Sequence, residues 1–167
     1  MALTFLRNLG IVSSAGISTT KLGAGAVLQV VQASTTTSTI IASTSYVDTT
    51  LTASITPTSA SNKILVITSQ TSLIVHSANT VIEGLCQLLR TSTSLLERNG
   101  EVNAAVGANA FTVGNLNVNF VYLDSPNTTS STTYKTQGKV NTTSNSGQIR
   151  FQSGDQRSTI TLIEIAG

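Results

Sequence analysis

From Ala26 onward, aliphatic and hydroxyl side chains alternate along the chain. Within Tyr46–Thr56, Leu51, Ala53 and Ile55 fall on one face of an extended segment, and Thr50, Thr52 and Ser54 fall on the other. Within Leu116–Asp124, Leu116, Val118, Phe120 and Tyr122 share a face. A period of two marks half-buried strands. Lys63–His76 (KILVITSQTSLIVH) opens apolar on both faces, which predicts a central strand. Shorter patterns at Ala26–Ala33, Ser38–Ala42, Thr132–Val140, Gln148–Gln152 and Ser158–Ile165 predict further strands. Residues 81–96 also fit a helical period through Val81, Leu85, Leu88 and Leu89. Gly84 and the Thr91–Ser94 run lower helix propensity, so two strands are expected instead, about 80–90 and 94–98, turning at Thr91–Thr93. Turn chemistry marks Thr56–Asn62, Asn99-Gly100, Asp124–Asn127, Asn145–Gly147 and Ser153–Asp155. The pattern predicts an all-β fold, an antiparallel β-sandwich of about nine short strands.

Residues 1–25 break this pattern. Leu3, Leu6 and Leu9 are spaced for one helical turn or a sticky extended strip, and Gly10, Gly16, Gly23 and Gly25 follow. Such a segment cannot build a core. It reads as an N-terminal docking arm ahead of a β-sandwich domain spanning 26–167, and an arm of this kind needs something to lie on. The residues expected to dock it on a partner are Leu3, Phe5, Leu6, Arg7 and Leu9. The same stretch superficially resembles a signal peptide, but it lacks a positive leading region, and Arg7 and Asn8 interrupt its apolar run. No run reaches transmembrane length, so no membrane partner is expected.

Composition sharpens this picture. Fifty of the 167 residues are Ser or Thr, against 10% Asp, Glu, Lys and Arg. Set on alternating strands, the hydroxyls are expected to form the solvent or contact face. With four Phe, three Tyr and no Trp, the core must be largely Val, Ile and Leu. Burial per residue is then modest, and oligomerisation is a natural way to add more. The nine basic residues are scattered rather than clustered among aromatics, which argues against a nucleic-acid partner.

The chain has little equipment for reaction chemistry. His76 is its one imidazole and Cys86 its one thiol. A hydrolytic triad would have to use His76, at the end of an apolar strand where a part-buried or rim histidine is ordinary. Cys86 lies in LCQLL and reads as a small buried side chain. The seven carboxylates are spread out. Asp48, Asp124 and Asp155 lie in or beside loops, where folding could bring two around a calcium ion, although simple surface charge is the plainer reading. Sugar cleavage would want facing carboxylates and aromatic platforms. No catalytic residue, cofactor or metal site is expected, and a non-enzymatic protein is.

Five segments carry a family resemblance: TTKLGAGAVLQVVQA (19–33), SYVDTTLTASITPTSASNKILVI (45–67), CQLLRTST (86–93), VNFVYLDSP with TTYKTQ (118–137), and STITLIEIAG (158–167). Together they resemble small β-sandwich accessory virion proteins of tailed bacteriophages, especially those of aquatic and cyanobacterial hosts, and the related C-terminal modules of tail fibres. The resemblance covers roughly residues 19–167. It implies a jelly-roll-like sandwich, commonly trimeric, and it carries no catalytic motif. About 25 residues precede the module, fewer than a fibre shaft needs. The expectation is therefore a capsid decoration, or cement, protein that trimerises, bridges subunits of the major capsid protein on the capsid exterior, and is made in the host cytoplasm. The alternative is a trimeric tail-tip protein recognising host surface glycan.

Overall fold

A computed structural model describes residues 23–77, 80–104 and 111–167. Eleven strands run through them: β1 (Val27–Thr35), β2 (Thr39–Ile41), β3 (Val47–Ile55), β4 (Lys63–Ser77), β5 (Thr80–Arg90), β6 (Thr93–Ala104), β7 (Phe111–Val118), β8 (Val121–Asp124), β9 (Thr132–Val140), β10 (Gln148–Phe151) and β11 (Ser158–Ile165). All pairings are antiparallel. They form two sheets, a sandwich as the alternation predicts.

The organising element is β4. Along one edge it pairs first with β8, through Ile64–Ile67, and then with β7, through Gln70–Ser77. Along the other it pairs with β11, through Lys63–Ser69, and then with β10, through Ser72–Val75. Both β7–β8 partnerships keep one register, Gln70 opposite Val118 and Ile67 opposite Val121. They are one ribbon interrupted at Asn119–Phe120. Likewise β10–β11 is a ribbon interrupted at 152–157, and β1–β2, which pairs outside it, is interrupted at 36–38.

Counting each interrupted ribbon once leaves eight in chain order. Their spatial order is first, eighth, third, sixth in one sheet (sheet I), and second, seventh, fourth, fifth in the other (sheet II: β3-β9-β5-β6). That is the double Greek-key order of a jelly roll. The expected strand number of about nine is corrected to eleven among the described residues. The excess arises because interrupted ribbons register as separate strands.

The interruptions fall at one level of sheet I, and hydroxyls complete the ladder there. Phe120 N–H donates to Thr68 Oγ1 (3.0 Å) while Thr68 N–H donates to the Phe120 carbonyl. Thr71 N–H donates to Ser158 Oγ (3.2 Å), which also accepts from Gln152 Nε2. Facing them, Gln70 Nε2 donates to Thr49 Oγ1, itself 2.6 Å from Thr136 Oγ1. Thr49, Thr68, Gln70, Ser72, Thr136, Gln152 and Ser158 are all buried. The expectation that hydroxyls line only a solvent or contact face is therefore corrected: a polar belt crosses the middle of the sandwich.

Aliphatic packing lies on either side of this belt. Ile64, Val66, Ile160 and Leu162 fill one end with Leu51 and Ile55, while Ile74, Ile82, Ile149 and Phe151 fill the other with Ile41. Leu51, Ala53 and Ile55 point inward and Thr50, Thr52 and Ser54 outward, as read from sequence. Asn99-Gly100 is not a turn. It lies within β6, opposite Leu85 and Gly84, because the long partner strand β5 supplies a ladder that overrides the local turn preference. The Thr91–Ser92 turn between β5 and β6 stands where expected.

Gly138 gives the core a measurable tolerance. A Cβ there would lie 2.6 Å from a ring carbon of Phe151, which is fully buried. Gly138→Ala is expected to lower unfolding free energy by about 1–3 kcal/mol, the usual cost of overpacking, in urea denaturation. Gly23→Ala, with nothing within 4 Å, serves as the control and should leave the midpoint in place.

Candidate docking faces

The outer surface of sheet I has two halves. Beyond the belt, toward the start of β4, the outward positions line up in rows across the ribbons. Val30 pairs with Ile163, Ile163 with Leu65, and Leu65 with Leu123. The next row joins Thr161, Ile67 and Val121, and the preceding one joins Val27 and Ile165. Val30 is 58% exposed, Val121 66% and Leu123 48%. Eight aliphatic side chains thus share one flat surface, with Lys63 at its margin. A contiguous apolar patch of this kind is a candidate contact surface. The other half of the same face is more polar, carrying Arg150 and Gln148, which bond each other.

Sheet II presents the opposite character. Lys135 Nζ lies 2.8 Å from Asp48. Gln137 donates to Asp48 and accepts from Gln87. Lys139 sits 4.4 Å from the centre of the Tyr46 ring, whose hydroxyl donates to Glu97. These side chains satisfy one another at a water-facing surface, where such pairs add little to stability.

Two buried carboxylates close the end of the sandwich beside the apolar rows. Glu164 and Asp124 stand on either side of Ile64 in one cross-strand row. Glu164 accepts from Gln29 Nε2 (2.6 Å), Asn62 Nδ2 (2.6 Å), and both the backbone N–H and the hydroxyl of Thr58. Burial raises its pKa, but these donors outweigh burial and hold the carboxyl below its ordinary value. The cluster ties the start of β1 and the 56–62 loop to β11, and Gly25 N–H donates to the Ala166 carbonyl beside it. Asp124 accepts from Arg90 (2.8 Å) and from the Tyr134 hydroxyl (2.7 Å).

The sequence candidates fall in several places. Leu3, Phe5, Leu6, Arg7 and Leu9 lie outside the described residues. Cys86 is fully buried in the core, and burial pushes its thiol up to about 12, the state of an inert structural cysteine. His76 is not at a rim: it is fully buried, and neither ring nitrogen has a hydrogen-bond partner among the described residues. Asp48, Asp124 and Asp155 belong to a sheet II surface pair, a part-buried ion pair and an exposed turn respectively. Among the described residues no three His, Cys, Asp or Glu side chains gather as metal ligands. The apolar face was missed in the sequence. Its signal was present in the runs KILVI (63–67) and VYL (121–123) and in LIEI (162–165), which are apolar at both inward and outward positions.

No protein-family model and no curated protein matches the chain. Among solved structures it has weak similarity to proteins of infectious bursal disease virus. For the Gx strain structure the identity is 11%, covering 83% of this chain and 32% of that chain, with a TM-score of 0.35. For the Gt strain the identity is 11%, with 83% and 38% covered and a TM-score of 0.31. The crystal structure of the virus's VP2 subviral particle gives 11%, 83%, 38% and 0.30. The chain spans about a third of the length of these proteins. The fold class defined here, an all-β jelly roll, rests on the strand order itself.

Glu164 predicts an acid limb in stability. Its folded pKa is depressed, so its contribution is complete above the ordinary carboxylate range and is lost as pH falls through the folded value. Glu164→Gln is expected to cost roughly 1–2 kcal/mol at neutral pH, through lost charge-assisted bonds. It should also flatten the fall in stability below about pH 4, followed by urea denaturation across pH. An unchanged acid limb in the variant would assign that limb to other groups.

Proposed function

We propose that the protein is a non-enzymatic structural component of a virus particle: a decoration protein that seats its sheet I face on the major capsid protein of a tailed-bacteriophage head. The observation that carries this reading is the polarity of the two faces. One sheet presents aligned aliphatic rows, and the other presents mutually paired polar groups. A protein seated on a larger surface needs one dry side and one wet side. The jelly-roll order fits the resemblance to accessory virion proteins drawn from the sequence.

The size of the patch bears on the N-terminal segment. Eight part-exposed aliphatic side chains amount to a few hundred Å², below the roughly 800 Å² per partner of a stable interface. The chain enters β1 at the border of this face, next to Val27 and Ile165. Residues 1–22, with Leu3, Phe5, Leu6, Arg7 and Leu9, supply the additional contact to the same partner. Three copies grouped at local threefold axes would present three such faces at once and bridge neighbouring capsid subunits. A single flat patch is self-complementary, suited to twofold pairing, whereas a trimer needs two different surfaces. The patch is therefore assigned to the capsid rather than to the trimer contact.

Quantitative mass spectrometry of purified particles is expected to find hundreds of copies, located on the head by electron microscopy. A handful of copies at the tail would favour the glycan-binding tail tip instead, and absence from particles would overturn both. Val121→Asp with Leu123→Asp, and separately deletion of residues 1–22, should each weaken binding to undecorated heads by roughly tenfold or more, about 1.4 kcal/mol. The β domain should remain folded by circular dichroism. Undiminished decoration by either variant would remove the corresponding surface from the contact.

A further inference from the structure

The outer edge of the β7–β8 ribbon is free: both strands pair with β4 and with no other described strand. The register shows which groups β8 leaves unpaired there. Thr68 N–H donates to the Phe120 carbonyl, so these two residues form a hydrogen-bonded pair of the ladder. Such pairs alternate along an antiparallel ladder, and the next ones are Val66 with Tyr122 and Ile64 with Asp124. The intervening residues of β4 bond in the opposite direction, as the Thr71 carbonyl does with Gln152 N–H. The N–H and C=O groups of Val121 and Leu123 therefore point away from β4, into the open edge. Their side chains are the exposed aliphatics at the end of the sheet I rows.

The other edges are covered or charged. β1 and β3 lie against each other, joined by the hydroxyls of Thr35 and Thr50 and by Gln29 Nε2 donating to the Thr56 carbonyl. β6 carries Glu97, Arg98 and Glu101. Arg98 pairs with Cys86 and so takes an inward position, emerging at a small cleft beside Asn119. An inward charge on an edge strand discourages pairing. β8 has no such guard, because its one charged residue, Asp124, is buried and held by Arg90 and Tyr134. The interruption at Asn119–Phe120 and Pro126 bound the strand at its two ends.

We infer that β8 pairs with β8 of a second copy of this chain, antiparallel about a twofold axis at Tyr122. Val121 of each copy then faces Leu123 of the other as a hydrogen-bonded pair. The two N–H and two C=O groups of one edge meet those of the other in four hydrogen bonds, and none of these groups is left over. The outward side chains meet in the same register, so the aliphatic rows of sheet I continue across both copies. A twofold contact closes on itself and makes a pair rather than a fibre. Four residues a side is a short contact to set against the entropy of association, so the free pair is weak, about millimolar. On a shell that holds copies side by side, effective concentration favours the pair. The joined face also comes closer to the roughly 800 Å² per partner of a stable interface. These last two steps rest on the decoration reading, in which the pair links copies of neighbouring threefold groups; the pairing itself does not.

The competing contact is face-to-face stacking of the aliphatic rows. Amide-detected NMR of the full chain from micromolar to millimolar concentration separates the two. Edge pairing predicts concentration-dependent shifts centred on Val121–Leu123. Val121→Pro removes an edge-facing N–H, leaves the ladder to β4 intact, and should weaken association by roughly tenfold, the value of two hydrogen bonds per pair. Val30→Asp, three strands away, should leave association unchanged; the reverse pattern, or no shifts at all, would overturn the proposal. A second measurement does not depend on the proline variant folding. Val121→Cys mixed with Leu123→Cys should form a disulfide-linked dimer on mild oxidation, because the two positions face each other. Either variant alone should crosslink far less, since its own thiols would be two residues out of register, beyond the roughly 7 Å Cα separation a disulfide spans. Equal crosslinking in the mixture and the single variants would also overturn the register. Both measurements use free protein, so they stand whether or not the chain is found on virus heads.

Discussion

β4 must satisfy backbone hydrogen bonds on both edges over fifteen residues, and the rest of the structure is arranged around that demand. No single partner strand covers either edge. Each side is served by a ribbon that breaks once, and the breaks fall at a common level. An unpaired backbone group buried at a break costs as much as a lost hydrogen bond. Thr68 and Ser158 prevent that loss by offering side-chain oxygens where the ladder is interrupted. One of the breaks, at Asn119–Phe120, lies beside the small cleft lined by Arg98.

The abundance of Ser and Thr therefore has two separate causes. On β3, outward Thr50, Thr52 and Ser54 keep a strand soluble at low entropic cost. In the belt, Thr49, Thr68, Thr136 and Ser158 act as short, adaptable hydrogen-bond groups that fit where a longer polar side chain would not. The belt borders a single core cluster that is mostly aliphatic, with Phe120, Tyr134 and Phe151 as its aromatics. That limits burial per residue and makes the polar closures at Glu164 and Asp124 more consequential, since each ties several segments together at one end.

The alternation made most strands legible, and Thr132–Val140 and Ser158–Ile165 coincide with β9 and β11. Sequence spacing alone could not reveal what depends on register. Glu164 and Asp124 are forty residues apart in the chain, and only their shared neighbour Ile64 places them in one row. Arg98 reads as an ordinary surface charge in LLERNGEV until pairing with Cys86 shows that it faces inward. Asn99-Gly100 carried a true local preference that tertiary pairing overrode. The doubly apolar opening of β4 correctly indicated a central strand. It was also the signal for the exposed apolar face: Ile64 and Val66 are buried while Leu65 and Ile67 look outward, so the second apolar face is one that the chain's own described residues do not cover.

That uncovered face is the feature on which the proposed docking rests. A jelly roll of this size buries its two inner surfaces and has no need of aliphatic side chains outside them. Rows that run in register across β1, β11, β4 and β8 require coordinated choices in four distant segments, Val30, Ile163, Leu65 and Leu123. Scattered surface hydrophobics are common and need no explanation; alignment across a whole sheet is different, because each member gains only if the others are covered with it. The polar pairs on sheet II and the aliphatic rows on sheet I give the sandwich two outer faces of different character, which is what the proposed docking requires. The carboxylate closures beside the rows hold the start of β1, where the N-terminal segment departs, in place against β11. The apolar rows and the carboxylate closures lie at the same end of the sandwich.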